Sequence, residues 1–271
     1  MQRREVLYGI GATSIWWSIA RADNASPHIV GVLSSRSAIE ATPHVKALRE
    51  GLAETGNTEG QNVTLQFRWA DGDYRRLPGL AQDLVEGGTS LLIATGSTAP
   101  ALAAQAATHL PIVFLIGEDP VGIGLVRSFN RPGGSITGFT FLTSELGGKR
   151  LGLLLELVTD ARTVALLVNS GNSTAHSQIE DVQRTADALG RQLKIFRTAK
   201  KDDFDPTFAS MMEQKIEGLV VANDPFFDSQ RDRLVALCAM NRLPAIYHIR
   251  EFPAAGGLEH DVFIRKRTLS F

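Results

Sequence analysis

Two α/β lobes, each a parallel sheet covered by helices on both faces, are what the sequence predicts, on three observations. Short apolar runs alternate with helical periodicities from His28 to Tyr247. The runs are nearly continuous rather than alternating with polar residues, as in strands buried on both faces. The rhythm then restarts after Gly138, past the Pro- and Gly-rich stretch Asn130-Arg-Pro-Gly-Gly134, which divides residues 28–138 from 139–258. Strands spaced by helices predict parallel pairing with right-handed crossovers.

In the first block, Ile29-Val-Gly-Val-Leu33 is a buried strand, and Ala38, Ala41, Val45, Leu48 and Leu52 mark one face of a helix that ends at Gly56. Val63-Thr-Leu-Gln-Phe67 is a second strand. Leu77, Leu80, Ala81, Leu84 and Val85 give the next helix, stopped by Gly87-Gly88. Leu91-Leu-Ile-Ala94 is a third strand, an alanine-rich helix covers 99–107, and Pro111-Ile-Val-Phe-Leu-Ile116 is a fourth strand.

In the second block, a helix carries Leu146, Leu153, Leu154 and Leu157, and Val164-Ala-Leu-Leu-Val168 is a strand. Ile179, Val182, Ala186 and Leu189 mark a helix closed by Gly190, and a strand runs from Leu193 to Phe196. Asp205-Pro206 reads as a helix start with the carboxylate as N-cap. Gly218-Leu-Val-Val-Ala222 is a strand, Leu234, Leu237 and Met240 belong to a helix, and Ala245-Ile-Tyr247 is the last strand.

The N-terminus reads as an export signal over residues 1–22. Arg3-Arg4 supplies a positive start, Val6 to Ala20 an apolar stretch, and Ala20-Arg21-Ala22 a small-x-small cleavage site. The twin arginines fit either the general secretory or the twin-arginine route. The apolar stretch is shorter than the roughly 20 residues of a membrane span. With 28 basic and 29 acidic residues, the chain lacks the basic footprint of a nucleic-acid binder. Its one cysteine, Cys238, excludes an internal disulfide and reads as a small buried hydrophobe.

Ligands of open parallel sheets bind beyond the carboxyl ends of the strands. That rule selects Ser34 and Ser35, then Thr95, Gly96 and Ser97, then Glu118 and Asp119 in the first block. In the second it selects Asn169 with Asn172, and the run Asn223-Asp224-Pro-Phe226-Phe227. Hydroxyls and amides at a helix start suit an anion. Asp119 or Asp224 suits an ammonium, and Phe226, Phe227 or Tyr247 an apolar wall. Taken singly, each is equally a cap or turn residue.

Catalytic patterns are poor. Gly122-Ile-Gly124 and Gly133-Gly134 lack the spacing of a dinucleotide or phosphate loop, and no Gly-x-Ser-x-Gly elbow occurs. Six histidines lack metal-ligand spacing; His44 and His176 read as residues of solvated helix faces. No cofactor is expected.

Collinear stretches resemble the extracytoplasmic substrate-binding proteins of ABC transporters related to tryptophan and tyrosine binders. They include Gly60-Gln-Asn-Val63, Arg68-Trp-Ala70, Ala94-Thr-Gly96, Phe141-Leu-Thr-Ser-Glu-Leu146, Asp224-Pro-Phe-Phe227, Pro244-Ala-Ile-Tyr247 and Arg250-Glu-Phe252. The resemblance covers about 1–258. It implies a type I periplasmic-binding-protein fold of two hinged lobes. It further implies capture, in the periplasm, of an aromatic amino acid or related carboxylate for ABC permease subunits in the membrane. The rival readings are a secreted α/β enzyme such as a hydrolase, and an extracytoplasmic ligand-sensing domain. Residues 259–271 depart from the family's expected crossover and read as an early end of the chain that would leave apolar sheet surface uncovered.

Overall fold

The computed structural model describes residues 27–172 and 174–257. The export signal and the 259–271 tail lie outside the described residues. Two wholly parallel sheets carry the fold.

The first sheet has the order β2-β1-β3-β4-β5, from β1 (His28–Ser34), β2 (Val63–Trp69), β3 (Leu91–Thr95), β4 (Ile112–Ile116) and β5 (Ile136–Thr140). The chain moves outward from β1 to β2, then reverses to β3. The switch point of this doubly wound sheet therefore lies between the ends of β1 and β3. Helix α1 (Thr42–Glu54) covers one face through Leu48 and Leu52, packed on Val30, Val63 and Leu65. Helices α2 (Leu77–Glu86) and α3 (Thr98–Ala107) cover the other face, where Leu33, Leu84, Leu92, Ala101 and Phe114 are buried.

The second sheet repeats the winding as β7-β6-β8-β9, from β6 (Thr163–Asn169), β7 (Gln192–Thr198), β8 (Gly218–Val221) and β9 (Ala245–Ile246). Its switch point lies between β6 and β8. Around it stand α4 (Gly147–Leu157), α5 (Ala175–Ala188), α6 (Phe204–Glu213), α7 (Pro225–Ser229), α8 (Arg231–Met240) and α9 (Glu251–Ala254). The core of this lobe runs from Leu151 and Leu154 through β6 and β8 to Phe204, Phe208 and Phe227. Cys238 is buried in it, as expected, and its burial pushes the thiol up to about 11.

The sequence reading missed β5. The strand pairs in register with β4, but Thr137-Gly138-Phe139 offers no apolar run, and Phe139 is exposed on the sheet's edge. The start of α6 also differs. Phe204 opens the helix, and Asp203 holds the preceding turn by accepting from the Ala199 and Lys200 amides. Asp205 sits inside the first turn, where a carboxylate still suits the helix dipole.

Gly138 is fixed by contact. A Cβ there would lie 2.1 Å from the Phe114 carbonyl oxygen, whereas one on Gly152 in α4 would meet nothing within 4 Å. Gly138→Ala should therefore cost at least about 2 kcal/mol in urea unfolding. Gly152→Ala should be neutral or stabilising by up to about 1 kcal/mol. Equal effects of the two would contradict the packing of β4 on β5.

Candidate functional site

The carboxyl ends of the two sheets face each other across a crevice of about 290 Å³. The crossing between β5 and α4 forms part of its wall through Phe141, Thr143 and Leu146. Lobe one contributes Arg36, Thr95, Gly96, Ser97 and Glu118, with His44 from α1. Lobe two contributes Arg150, Asn172, Asn223, Pro225, His248 and Ile249. A larger hollow of about 600 Å³ lies at the opposite end of the first sheet, but residues of that lobe alone line it.

Thr95, Gly96, Ser97 and Glu118 thus stand where the sequence put them. Ser97 precedes α3 in an extended conformation and does not cap the helix with its side chain. The Ser97 and Ser35 hydroxyls are buried and have no hydrogen-bond partner among the described residues. Glu118 is buried and accepts from the Thr98 hydroxyl. Ser34 and Ser35 lie beneath the crevice, fully buried, and the Ser34 hydroxyl accepts from the Arg36 amide.

Five predicted contacts face elsewhere. Asp119 turns back on its own loop, where Oδ1 accepts from the Val121 amide at 2.9 Å. Asn169 spends its amide locally: Oδ1 accepts from the Gly171 amide, and Nδ2 donates to Asp224. Asp224 is 1% exposed and caps α7, accepting from the Phe226 amide at 2.8 Å, Asn172 Nδ2 at 2.7 Å and Asn169 Nδ2 at 3.2 Å. Phe226 follows that cap into the lobe-two core and stacks on Phe204 with centroids 5.5 Å apart. Tyr247 is 1% exposed and stacks on Phe252 at 4.3 Å, while the next residue, His248, reaches the crevice. In each case strand-end position was read correctly, but neighbouring amides or rings claim the side chain.

The crevice carries more positive charge than the sequence reading assigned. Arg36 and Arg150 line it, and Arg150 is 2% exposed despite its charge. Only the strand-end rule applied to Arg36, one residue past Ser35, would have found the first; Arg150 sits in the leucine-rich α4 without a local signal. His44 is exposed yet reaches the margin, where burial and then the Arg36 charge hold its imidazole below the ordinary range. His176 is solvated as expected, with a side chain 82% exposed.

Two buried aspartates respond in opposite ways to this environment. Desolvation dominates at Asp224 and pushes its carboxyl up to about 6, against the hydrogen bonds of Asn169 and Asn172. At Asp228 burial also pushes upward, but the charges of His248 and Arg36 outweigh it and hold the carboxyl below the usual range. Tyr74 brings its phenol within electrostatic reach of Asp224 and Ser97, without direct hydrogen-bond geometry to either. Burial, then the Asp224 charge, raises that phenol well above its ordinary value.

A family profile described as ABC transporter substrate binding protein matches residues 30–263. The chain belongs to the ABC transporter substrate-binding protein family. Its family match runs into the first residues of the tail that the sequence reading set apart. A curated tyrosine-binding protein of Clostridioides difficile (strain R20291) is 23% identical over 202 residues, 74% of this chain. The chain spans 57% of that relative's length. Among solved structures, an ABC domain in complex with L-Trp from Streptococcus pneumoniae is 24% identical, with a TM-score of 0.75 over 88% of this chain and 80% of that one. A conserved domain protein of Vibrio cholerae is 22% identical, with a TM-score of 0.77 over 86% of this chain and 78% of that one. At these identities the likeness establishes the architecture, a two-lobed type I periplasmic-binding-protein fold.

The raised Asp224 carboxyl gives a pH prediction. The folded protein retains this proton up to about pH 6, whereas the unfolded chain loses it near pH 4. Its contribution to stability is therefore full below about pH 4 and is lost as pH rises through 6. Urea unfolding from pH 4 to 7 should show the wild type losing about 3 kcal/mol relative to Asp224→Asn. A constant difference across that range would contradict the assignment.

Proposed function

We propose that this substrate-binding protein captures a small zwitterionic organic ligand, of the aromatic amino-acid class, outside the cytoplasm and delivers it unchanged to the permease of an ABC importer. The observation that carries this reading is the composition of the crevice, whose walls come from the switch points of both lobes. Arg36 and Arg150 supply charge for a carboxylate, and the amino end of α3 with its uncommitted Ser97 hydroxyl adds donors for the same group. Glu118 supplies the opposite charge for an ammonium, and Phe141, Leu115, Leu146 and Ile249 an apolar flank. The Trp complex and the tyrosine-binding protein among its relatives support the ligand class. The export signal read from residues 1–22 supports the location. Among the described residues no helix is long and apolar enough to cross a membrane.

Capture requires no chemistry from the protein. A ligand that touches both lobes favours their approach by the contacts it makes only when they are shut. Calorimetry with L-tryptophan and L-tyrosine should show one site, and the ligand should be recovered intact. Glu118→Gln should weaken L-tryptophan binding about tenfold or more, because a charge-assisted bond to the ammonium is lost. It should leave indole-3-propionate, which has no ammonium, little changed. Turnover of either probe, or equal losses for both, would count against this assignment of the crevice.

A further inference from the structure

The α7 segment, selected from the sequence for ligand contact, instead faces lobe one. Asp228 Oδ2 accepts from Arg36 Nη1 at 2.8 Å, across the lobe boundary, between side chains 3% and 20% exposed. Asp228 Oδ1 lies 3.0 Å from Nε2 of His248, at ion-pair distance when the imidazole is protonated, although off the direction of a hydrogen bond. One residue pair further, Phe226 packs on Gly72 of lobe one. A Cβ at Gly72 would approach the Phe226 ring to 3.3 Å and its Cα to 3.5 Å, and Gly72 holds φ 78°, so both space and backbone call for glycine. Tyr74 closes the row against the loop after β6, where a Cβ at Gly171 would meet its ring at 3.5 Å. Two contacts thus join the loops after β1 and β2 to one short helix of the other lobe.

We propose that α7 is the latch of the closed form, and that Asp228 is a positioning residue which makes Arg36 part of the ligand site only when the lobes meet. This inference rests on the crevice being a ligand site. Arg36 stands on a loop and carries a long side chain whose immobilisation is entropically costly. Asp228 is the group that orients it, and it belongs to the lobe that moves away on opening. A ligand that meets Arg36 in this orientation adds contacts made only when the lobes are together and shifts the population further toward closure.

The test combines binding with lobe distance. Fluorescent labels at Lys46→Cys on α1 and Glu180→Cys on α5, both exposed positions, report the separation, while the buried Cys238 stays unlabelled. Asp228→Asn should weaken binding of L-tryptophan by at least about tenfold. It should also lengthen the ligand-free inter-label distance. Arg36→Gln should do the same, and because it alters a partly exposed lobe-one residue it serves if Asp228→Asn fails to fold. Acting through Arg36, Asp228→Asn should add less than about twofold to the loss already caused by Arg36→Gln. Additive losses, or wild-type affinity in Asp228→Asn, would overturn the positioning role. If wild type binds no amino-acid probe, the ligand reading fails. The ligand-free distances still judge the latch, which is overturned if neither variant lengthens them.

Discussion

Strand polarity is the constraint on which the rest of the structure depends. Every pairing in both sheets is parallel, so each loop that follows a strand emerges at the same end of its sheet. The segment between β5 and α4 carries the chain from one sheet to the other, with Leu142 in the left-handed region at φ 50° and its neighbours in the crevice wall. The two loop ends therefore meet, and polar side chains accumulate there while the apolar cores lie behind them. Ser35, Ser97, Glu118, Arg150, Asn172, Asp224 and Asp228 are all buried at this junction. A single folded domain without a ligand to meet would gain nothing from removing so many polar groups from water.

The junction also divides its buried charge into two kinds. Asp224 is satisfied by amides alone, which hydrogen-bond its carboxylate but bring no countercharge, so desolvation dominates. Asp228, four residues later on the same short helix, stands beside an arginine and a histidine and keeps its charge. The first organises lobe two internally by tying the loop after β6 to α7. The second reaches across the boundary. One turn of helix thus separates a local scaffold from an interlobe contact.

Much of the architecture was legible because strands buried on both faces leave continuous apolar runs, as in Val164 to Val168 and Gly218 to Ala222, which became β6 and β8. The edge strand β5 was not, since Gly138 and the polar threonines around Phe139 lack that signature. At the site, sequence located the strand ends but not the direction of each side chain. Thr95, Gly96, Ser97 and Glu118 reach the crevice, whereas Phe226 and Tyr247 are drawn into ring stacks that only the folded lobe creates. Arg150 left no trace in the periodicity, because an arginine within a leucine-rich helix reads as its solvated side, whereas here it is 2% exposed.

Hydrogen exchange offers the most direct test of the central claim, that one ligand is held by both lobes across this crevice. The probe is whichever L-amino acid or aromatic acid most raises the melting temperature of the protein. Added at saturation, it should slow exchange at the amides of 95–98 and 116–118 in lobe one and of 172, 223 and 224 in lobe two, together and to similar extent. Protection confined to one lobe, or centred on the hollow at the far end of the first sheet, would contradict the account.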